Sequence, residues 1–164
     1  MLCVRQANAY DLDRLAHVIA YSWQEAYAGL LHADILEKQT KPENRLPGMR
    51  RGMESGAVYW ILEENGVAQG MAAARMEGDT LEIDAFYTRK TVWGMGGAGK
   101  MMADILAYAG EKGCRKIHLW ALMENGRARR FYEKQGFCAG NEKETGLMDA
   151  QGGEAMEIEY FRAI

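Results

Sequence analysis

The feature that most restricts the fold of this chain is a run of glycines at the start of a helical pattern, Trp93-Gly94-Met95-Gly96-Gly97-Ala98-Gly99-Lys100. The pattern continues to Glu111, so the glycines are expected to lie at the mouth of a helix. The first backbone N–H groups of a helix have no partner inside it, and together with the helix dipole they favour an anion. The segment therefore predicts a phosphate-binding loop. A flexible loop, in which the glycines only permit positive φ, is the alternative.

Two common nucleotide-binding motifs share some of these residues and are each incomplete. The spacing Gly94-x-Gly96-x-x-Gly99 matches the dinucleotide fingerprint, which requires a strand directly before it and an acidic residue about 20 positions later. The preceding predicted strand ends near Thr88, and the next, Lys116 to Ala121, ends without an acid. A P-loop would need Ser or Thr at the position of Met101 to bind magnesium. A nucleotide-binding protein is therefore a weaker rival hypothesis.

The segments on either side of the glycines predict a single α/β domain over residues 1–164. An Asn-Gly pair, Asn65-Gly66, lies between two apolar runs, which is a strong hairpin signal. Pro42 and Pro47 are expected to break the region from Asp34 to Met53 into two short helices. The other predicted elements are strands Leu2 to Gln6, Ala57 to Leu62, Val67 to Arg75, Thr80 to Thr88, Lys116 to Ala121, Phe137 to Glu142 and Glu154 to Arg162, a first helix capped by Asn8 that ends near Tyr27, and helices Gly96 to Glu111 and Asn125 to Gln135. We expect a mixed, mostly antiparallel sheet of about seven strands with helices on both faces.

Composition excludes several classes of protein. The chain has 164 residues, 48% of them hydrophobic, and a formal net charge of −3, which argues against general affinity for nucleic acid. The three cysteines, Cys3, Cys114 and Cys138, are widely spaced and predict neither a disulfide framework nor a metal site. No apolar run approaches the length of a membrane span. These observations predict a cytoplasmic protein without metal, nucleic-acid or membrane partners; if it self-associates, a homodimer is the commonest form.

Two motifs resemble those of the GNAT superfamily of acyl-CoA-dependent N-acyltransferases. The first is Phe86-Tyr87-Thr88-Arg89-Lys90-Thr91-Val92-Trp93-Gly94-Met95-Gly96-Gly97-Ala98-Gly99-Lys100-Met101-Met102, which is similar to the family's motif A. The second is Asn125-Gly126-Arg127-Ala128-Arg129-Arg130-Phe131-Tyr132-Glu133-Lys134-Gln135-Gly136-Phe137, which resembles N-x-x-A-x-x-F-Y-E-K-x-G-F. The chain departs from the family at Lys90, commonly Pro, and at Trp93, commonly Arg or Gln. Trp93 removes a side-chain donor near the pyrophosphate, although backbone amides can still form the cradle.

The resemblance implies transfer of an acetyl group from acetyl-CoA to a primary amine by direct attack. It places Tyr132 as the acid that protonates the leaving sulfur, with packing beside Phe131 as the alternative. Asn125 would bond the pantetheine arm and also cap its helix. The residues implied in cofactor binding are Phe86, Tyr87, Thr88, Trp93, Gly94, Met95, Gly96, Gly97, Ala98, Gly99, Asn125 and Tyr132, and Arg129, Arg130 and Lys134 could reach the phosphates unless they only form a solvated helix face.

The acceptor side is less defined by the resemblance. Glu82 stands where relatives carry a glutamate that takes the amine proton, and Asp84 shares its face by strand alternation, so either could be the base. An exposed face of ion pairs is the alternative for both. Trp23 and Tyr27 lie four residues apart on the first helix and could shape the acceptor pocket or simply pack in the core. His17, His32 and His118 show no spacing that suggests a triad or metal site. A non-catalytic acyl-CoA-binding sensor or partner-binding module of the same fold is the alternative function.

Overall fold

The computed structural model describes residues 1–164 as seven strands and five α-helices. In chain order they are β1 (Leu2–Gln6), α1 (Leu12–Tyr27), α2 (Ala33–Gln39), α3 (Pro42–Glu54), β2 (Val58–Glu64), β3 (Val67–Glu77), β4 (Thr80–Thr88), α4 (Gly97–Glu111), β5 (Lys116–Leu122), α5 (Gly126–Lys134), β6 (Cys138–Met148) and β7 (Glu154–Ala163). Two single turns of 3₁₀ helix, Ala9–Asp11 and Lys90–Val92, precede α1 and the glycine-rich loop. The predicted order of elements is confirmed.

Local sequence signals account for most of the element boundaries. Asn65 and Gly66 both have positive φ, 51° and 82°, as the tight turn between β2 and β3 requires. The side chain of Asn8 accepts a hydrogen bond from the N–H of Tyr10, so it caps the turn that leads into α1. Gly113, with a φ of 74°, follows the end of α4. Each of these turns and caps depends on only a few neighbouring residues, so it can be recognised from the sequence.

Two boundaries differ from the prediction. Pro42 begins α3, as expected of a residue whose missing N–H would be unpaired there, but Pro47 lies inside α3 and does not end it. Packing of Met49 into the core holds the helix together across the proline. Strand β6 is also longer than predicted and extends to Met148, because β7 pairs with it as far as Glu154. None of the five helices combines the length and apolar character that a membrane crossing requires.

All seven strands form one sheet in the order β1-β2-β3-β4-β5-β7-β6. Every neighbouring pair is antiparallel except β4 and β5, which are parallel and joined through α4. Their pairing runs only from Thr80 with Lys116 to Ile83 with Leu119. Beyond that point β4 pairs only with β3, and β5 only with β7. The sheet is therefore split along half of these two strands, which opens a cleft in its middle.

Helices cover both faces of the sheet, as predicted. On one face α4 and α5 pack against a core that includes Trp60, Met101, Ile105 and Tyr160. On the other face α1 and α3 pack against a second core that includes Leu15 and Ile61. The two layers fix α4 and α1 on opposite sides of the split between β4 and β5.

Candidate active site

The split in the sheet forms a cleft of about 410 Å³ between β4, β5 and the start of α4 and α5. Because β4 and β5 do not pair beyond Ile83 and Leu119, backbone N–H and C=O groups along one edge of each strand face this cleft. An extended ligand can bond such an edge as an additional strand would. Most of the residues predicted to bind the cofactor line it: Phe86, Tyr87, Thr88, Trp93, Gly94, Gly96, Gly97, Ala98, Gly99, Asn125 and Tyr132.

A β-bulge decides which side chains of β4 face the same side of the sheet. Ala74 pairs with Ile83 and Ala73 with Ala85, so Asp84 is an extra residue on β4. Strict alternation would place Glu82 and Tyr87, five residues apart, on opposite faces. The bulge switches the alternation: Ile83 packs in the core under α4 and α5, whereas Ala85 and Tyr87 pack on the α1 side. Glu82, which points away from the Ile83 side, therefore shares the α1 side with Tyr87.

The glycine-rich loop leaves unpaired amides at the mouth of α4. Gly94 and Gly96 adopt left-handed φ values of 78° and 83°. The first backbone bond into the helix is donated by Lys100 to the carbonyl of Gly96, so the N–H groups before Lys100 on α4 have no partner. Gly97 is buried, and a Cβ placed on it would lie 2.6 Å from Cδ2 of Leu62. The glycines thus serve both the backbone turn and close packing on β2.

Met95 is the one member of the predicted cradle that does not line the cleft. Its side chain is half-exposed, and its N–H donates to the carbonyl of Val92 inside the loop. Met95 thus lies apart from the other predicted residues, and its role in cofactor binding stays a prediction.

Trp93, which replaces the side-chain donor common in relatives, has a fixed place in the cleft wall. Its Nε1 donates to the carbonyl of Thr88 at 3.0 Å, and the guanidinium carbon of Arg127 lies 3.6 Å from its ring centre. Partial desolvation lowers the pKa of Arg127, although the residue as a whole remains exposed to solvent. Arg127 occupies an unspecified position of the second motif, so its place in the sequence carries no signal for a role in the cleft. Only the fold brings it onto Trp93.

The other cations of α5 divide between the cleft and the core. Arg130 and Lys134 line the cleft. Arg129 instead donates from Nε to the hydroxyl of Tyr160 at 3.0 Å and from Nη1 to the carbonyl of Met123. The suggestion that Arg129 reaches a phosphate is therefore wrong, because its guanidinium is used to tie α5 to β7 and to the loop after β5.

Tyr132 lies in the wall of the cleft, 6% exposed, between Phe86 and Phe137. Its hydroxyl has no hydrogen-bond partner in the protein, yet it is not sealed off from the cleft. Burial, and to a smaller extent Tyr87, raises the pKa of Tyr132 well above its usual value, so the phenol keeps its proton at neutral pH. A neutral phenol in this place can donate a proton or a hydrogen bond to a group in the cleft.

Asn125 and Phe86 have structural roles next to the same cleft. The side-chain oxygen of Asn125 accepts from the N–H of Ala128 at 3.2 Å and caps α5, which leaves its amide nitrogen free. Phe86 stacks on Phe131 at 5.5 Å between ring centres. The predicted capping role of Asn125 is thus confirmed, and its place in the cleft wall is compatible with a second role.

A smaller cavity of about 250 Å³ adjoins the cleft on the α1 side of the sheet. The predicted acceptor residues Trp23, Tyr27, Glu82 and Asp84 all line it. Trp23 and Tyr27 meet edge to face at 4.9 Å and also pack against the core, so their packing role is confirmed, while contact with an acceptor stays a prediction. Six residues line both cavities: Tyr27, Ile83, Asp84, Tyr87, Trp120 and Leu122. The two cavities therefore meet at the fork between β4 and β5.

The two candidate bases have different surroundings. Oε2 of Glu82 lies 2.6 Å from Nδ1 of His118, and the side chain of Glu82 is 12% exposed. Asp84 is paired with Arg75 at 3.0 Å and is 42% exposed. Burial raises the pKa of both carboxyls, while His118 opposes the rise for Glu82 and Arg75 opposes it for Asp84. Glu82 is thus the more enclosed of the two.

His118, which sequence spacing did not link to any partner, bridges two carboxylates. Its Nε2 lies 2.9 Å from Oε2 of Glu159 on β7, while its Nδ1 faces Glu82. The link depends on the parallel register that sets His118 beside Glu82 and on the neighbouring β7. No local pattern encodes that register.

Ser22 is a second residue of the cleft for which the sequence gives no signal: its buried hydroxyl has no partner and lines the cleft.

Comparisons with known proteins agree with the geometry. A sequence model of the acetyltransferase (GNAT) family matches residues 16–137. A probable N-acetyltransferase of Mycobacterium tuberculosis is 26% identical over 142 residues, which cover 82% of this chain and 78% of that protein.

Solved structures share the fold over nearly the whole chain. The PaiA N-acetyltransferase of Thermoplasma acidophilum, solved in complex with coenzyme A, superposes with a TM-score of 0.75 at 18% identity and covers 97% of this chain and 98% of its own. A putative acetyltransferase of Salmonella typhimurium, YncA, solved with acetyl-CoA, superposes with a TM-score of 0.76 at 18% identity, covering 99% and 94%.

Proposed function

Because this chain belongs to the GNAT family of acetyltransferases, we propose that it transfers an acetyl group from acetyl-CoA to a primary amine by direct attack. When bound, acetyl-CoA would supply the reactive thioester. The chain's own residues would bind the cofactor, hold the amine against it and handle two protons. The observation that carries the proposal is the meeting of two cavities at the fork of β4 and β5, with Tyr132 in one and Glu82 in the other.

The larger cleft fits the chemistry of coenzyme A. The unpaired amides at the start of α4 suit a pyrophosphate, and Arg127, Arg130 and Lys134 add positive charge around them. The unpaired backbone edge of β4, up to Thr88, suits the amide groups of a pantetheine arm. An arm bound along β4 leads from the helix mouth towards the fork, where the thioester would lie.

Tyr132 is our candidate for the acid that protonates the leaving sulfur. Its hydroxyl is free of protein partners, and its raised pKa keeps it protonated at neutral pH, so it can offer its proton or a hydrogen bond to a thiolate that develops beside it. A thiolate that develops in a cleft lined by Phe86 and Tyr132 would gain from a proton, because burial makes an isolated charge costly.

Glu82 is our candidate for the base that takes the proton of the amine. It lines the smaller cavity and not the larger one, so it faces the side from which an acceptor would enter. Burial raises the pKa of Glu82, which makes the carboxylate a better proton acceptor. The carboxylates of Asp84 and Glu157 in the same cavity favour an acceptor that carries positive charge.

Turnover with a panel of amines tests the proposal. Release of free coenzyme A is measured with acetyl-CoA and small amines, diamines, amino acids and peptide N-termini, and binding of acetyl-CoA is measured by calorimetry. We expect tight binding of the cofactor and amine-dependent release of coenzyme A above the rate of hydrolysis. Binding without acceptance of any amine would favour the sensor interpretation, and preference for ATP or NAD would contradict the proposal.

Two matched variants separate the candidate bases. Glu82→Gln is expected to lower kcat by about 100-fold, the lower end of general base contributions. Asp84→Asn, which removes a charge already paired with Arg75, is expected to raise KM for a cationic acceptor with a smaller change in kcat. The reverse pattern would assign the base to Asp84.

A cytoplasmic location and a homodimer remain predictions. Sedimentation at several protein concentrations checks whether the protein is a homodimer.

A further inference from the structure

We propose that His118 is a positioning residue that holds Glu82 ionised and correctly oriented by bridging it to Glu159. This inference rests on the proposed role of Glu82 as the base. The three residues come from adjacent strands: Glu82 from β4, His118 from β5 and Glu159 from β7. Their side chains are 12%, 16% and 19% exposed, so the row is largely shielded from solvent.

The distances between Glu82, His118 and Glu159 determine how many protons these three side chains must share. The Nδ1 to Oε2 distance to Glu82 is 2.6 Å, and the Nε2 to Oε2 distance to Glu159 is 2.9 Å, both within hydrogen-bond range. Two ionised carboxylates can only accept, so both contacts need a proton on the ring nitrogen. The imidazolium form supplies both protons, while a neutral ring supplies one and leaves the other contact to a protonated carboxyl. Two carboxylates on either side of one ring favour the imidazolium.

Glu159 is itself held in place from the far side. Its Oε1 accepts a hydrogen bond from the N–H of Asn141 at 2.9 Å. That bond and His118 lower the pKa of Glu159, so it stays ionised. Gly140 allows this approach, because a Cβ there would lie 2.4 Å from the same carboxylate oxygen. The backbone of β6 thus fixes Glu159, Glu159 fixes the ring, and the ring fixes Oε2 of Glu82.

The other charged groups around Glu82 do not perform this task. Asp84 on the same strand raises the pKa of Glu82, and Arg75 on β3, which is paired with Asp84, lowers it less than His118 does. On β7, Glu157 is paired with Lys143 of β6 at 3.4 Å.

From α1 and β4 the facing titratable groups are the phenols of Tyr27 and Tyr87 in the shared cavity wall. Burial raises the pKa of Tyr27, so it adds no charge at neutral pH. His118 is therefore the residue that most strongly opposes the effect of burial on the pKa of Glu82.

The inference predicts a directional change in pH dependence. Burial raises the pKa of Glu82 and His118 lowers it, so removing the ring allows the pKa to rise further. A base must be ionised to act, and the acid limb of kcat/KM then moves to higher pH. A role limited to packing would lower activity without moving that limb.

The experiment compares His118→Gln and Glu159→Gln with the control His17→Gln, a histidine on the exposed side of α1. We expect the acid limb of kcat/KM to move up by about one pH unit, a tenfold change in protonation, in His118→Gln. A smaller shift in the same direction is expected in Glu159→Gln, and none in the control. An unmoved limb in both variants would overturn the inference.

A second readout does not depend on turnover. Nitrogen-15 NMR of the ring, assigned by the loss of its signals in His118→Gln, should show a hydrogen-bonded proton on both ring nitrogens at pH 7 in the wild type, because each nitrogen faces a carboxylate oxygen. In Glu159→Gln, whose amide oxygen is uncharged, the hydrogen bond at Nε2 should be weaker. A wild-type ring with one bare nitrogen at pH 7 would overturn the inference. If no amine is accepted by the wild type, the proposed function fails while this readout still decides the state of the row.

Discussion

The guanidinium carbon of Arg127 lies over the ring of Trp93, 3.6 Å from its centre, at the mouth of the helix that begins with Gly97. The ring is held by its bond to the carbonyl of Thr88. Arg127 thus brings a cation to the glycine-rich loop beside the uncharged side chain of Trp93.

Removing this cation is expected to weaken cofactor binding. Arg127→Gln should raise the dissociation constant of coenzyme A about tenfold, because a hydrogen bond to a charged group contributes about 1.5–3 kcal/mol. Calorimetry at two salt concentrations measures the effect. Arg115→Gln makes the same charge change at a side chain that is 85% exposed and outside the cleft, and should leave affinity unchanged. Equal affinities for both variants would remove Arg127 from the site.

Loss of the Tyr132 hydroxyl should affect chemistry more than stability. Tyr132→Phe is expected to lower kcat by about 100-fold with little change in acetyl-CoA binding or in the melting temperature, because the hydroxyl has no protein partner to lose. Steady-state kinetics and thermal unfolding measure both. Tyr108→Phe on α4, whose ring packs edge-on against Trp60, is the matched control. Unchanged kcat in Tyr132→Phe would show that the acid has been wrongly assigned.

Two glycines of the same helix turn should respond to alanine in opposite directions. Gly97→Ala places a methyl group 2.6 Å from Leu62, which is fully buried, and should lower the free energy of unfolding by about 1–3 kcal/mol. Gly99→Ala meets no atom closer than 3.9 Å and should raise it by about 0.5–1 kcal/mol, as expected for a helical glycine. Urea unfolding measures both, and destabilisation of equal size would contradict the packing argument.

Asp11 should make stability depend on pH. The buried carboxylate accepts from both terminal nitrogens of Arg5 at 2.8 and 2.9 Å and from Arg14 at 2.9 Å. Hydrogen bonding to Arg5 is the main cause that holds the pKa of Asp11 far below its ordinary 3.8. A lowered folded-state pKa adds stability that is fully present above the unfolded value and is lost as the pH falls through the folded one.

Asp11→Asn should therefore cost about 2 kcal/mol at pH 7. The difference from the wild type should shrink as the pH falls below about 4. Urea unfolding across pH measures this dependence. Asp13→Asn, a neighbouring carboxylate that is 75% exposed, should show neither effect. A loss of stability in Asp11→Asn that is the same at every pH would mean that the charge is not its cause.

Local signals predicted most of the fold. The Asn65-Gly66 turn, the cap at Asn125 and the glycines before α4 all lie where the sequence placed them. Pro47 is the exception among the breakers, because tertiary packing of Met49 outweighs the local cost of a proline inside α3.

The sequence by itself determined the order of the elements, the glycine-rich helix mouth and the motif that carries Tyr132. Turns, caps and helical periodicity depend on residues close together in the chain, so one sequence suffices to predict them. Only the tertiary structure decided that the bulge at Asp84 turns Glu82 and Tyr87 to one face, that His118 bridges two carboxylates, and that Arg127 covers Trp93. Those contacts depend on strand register and helix docking, which are set by partners distant in the chain, and no local pattern specifies them.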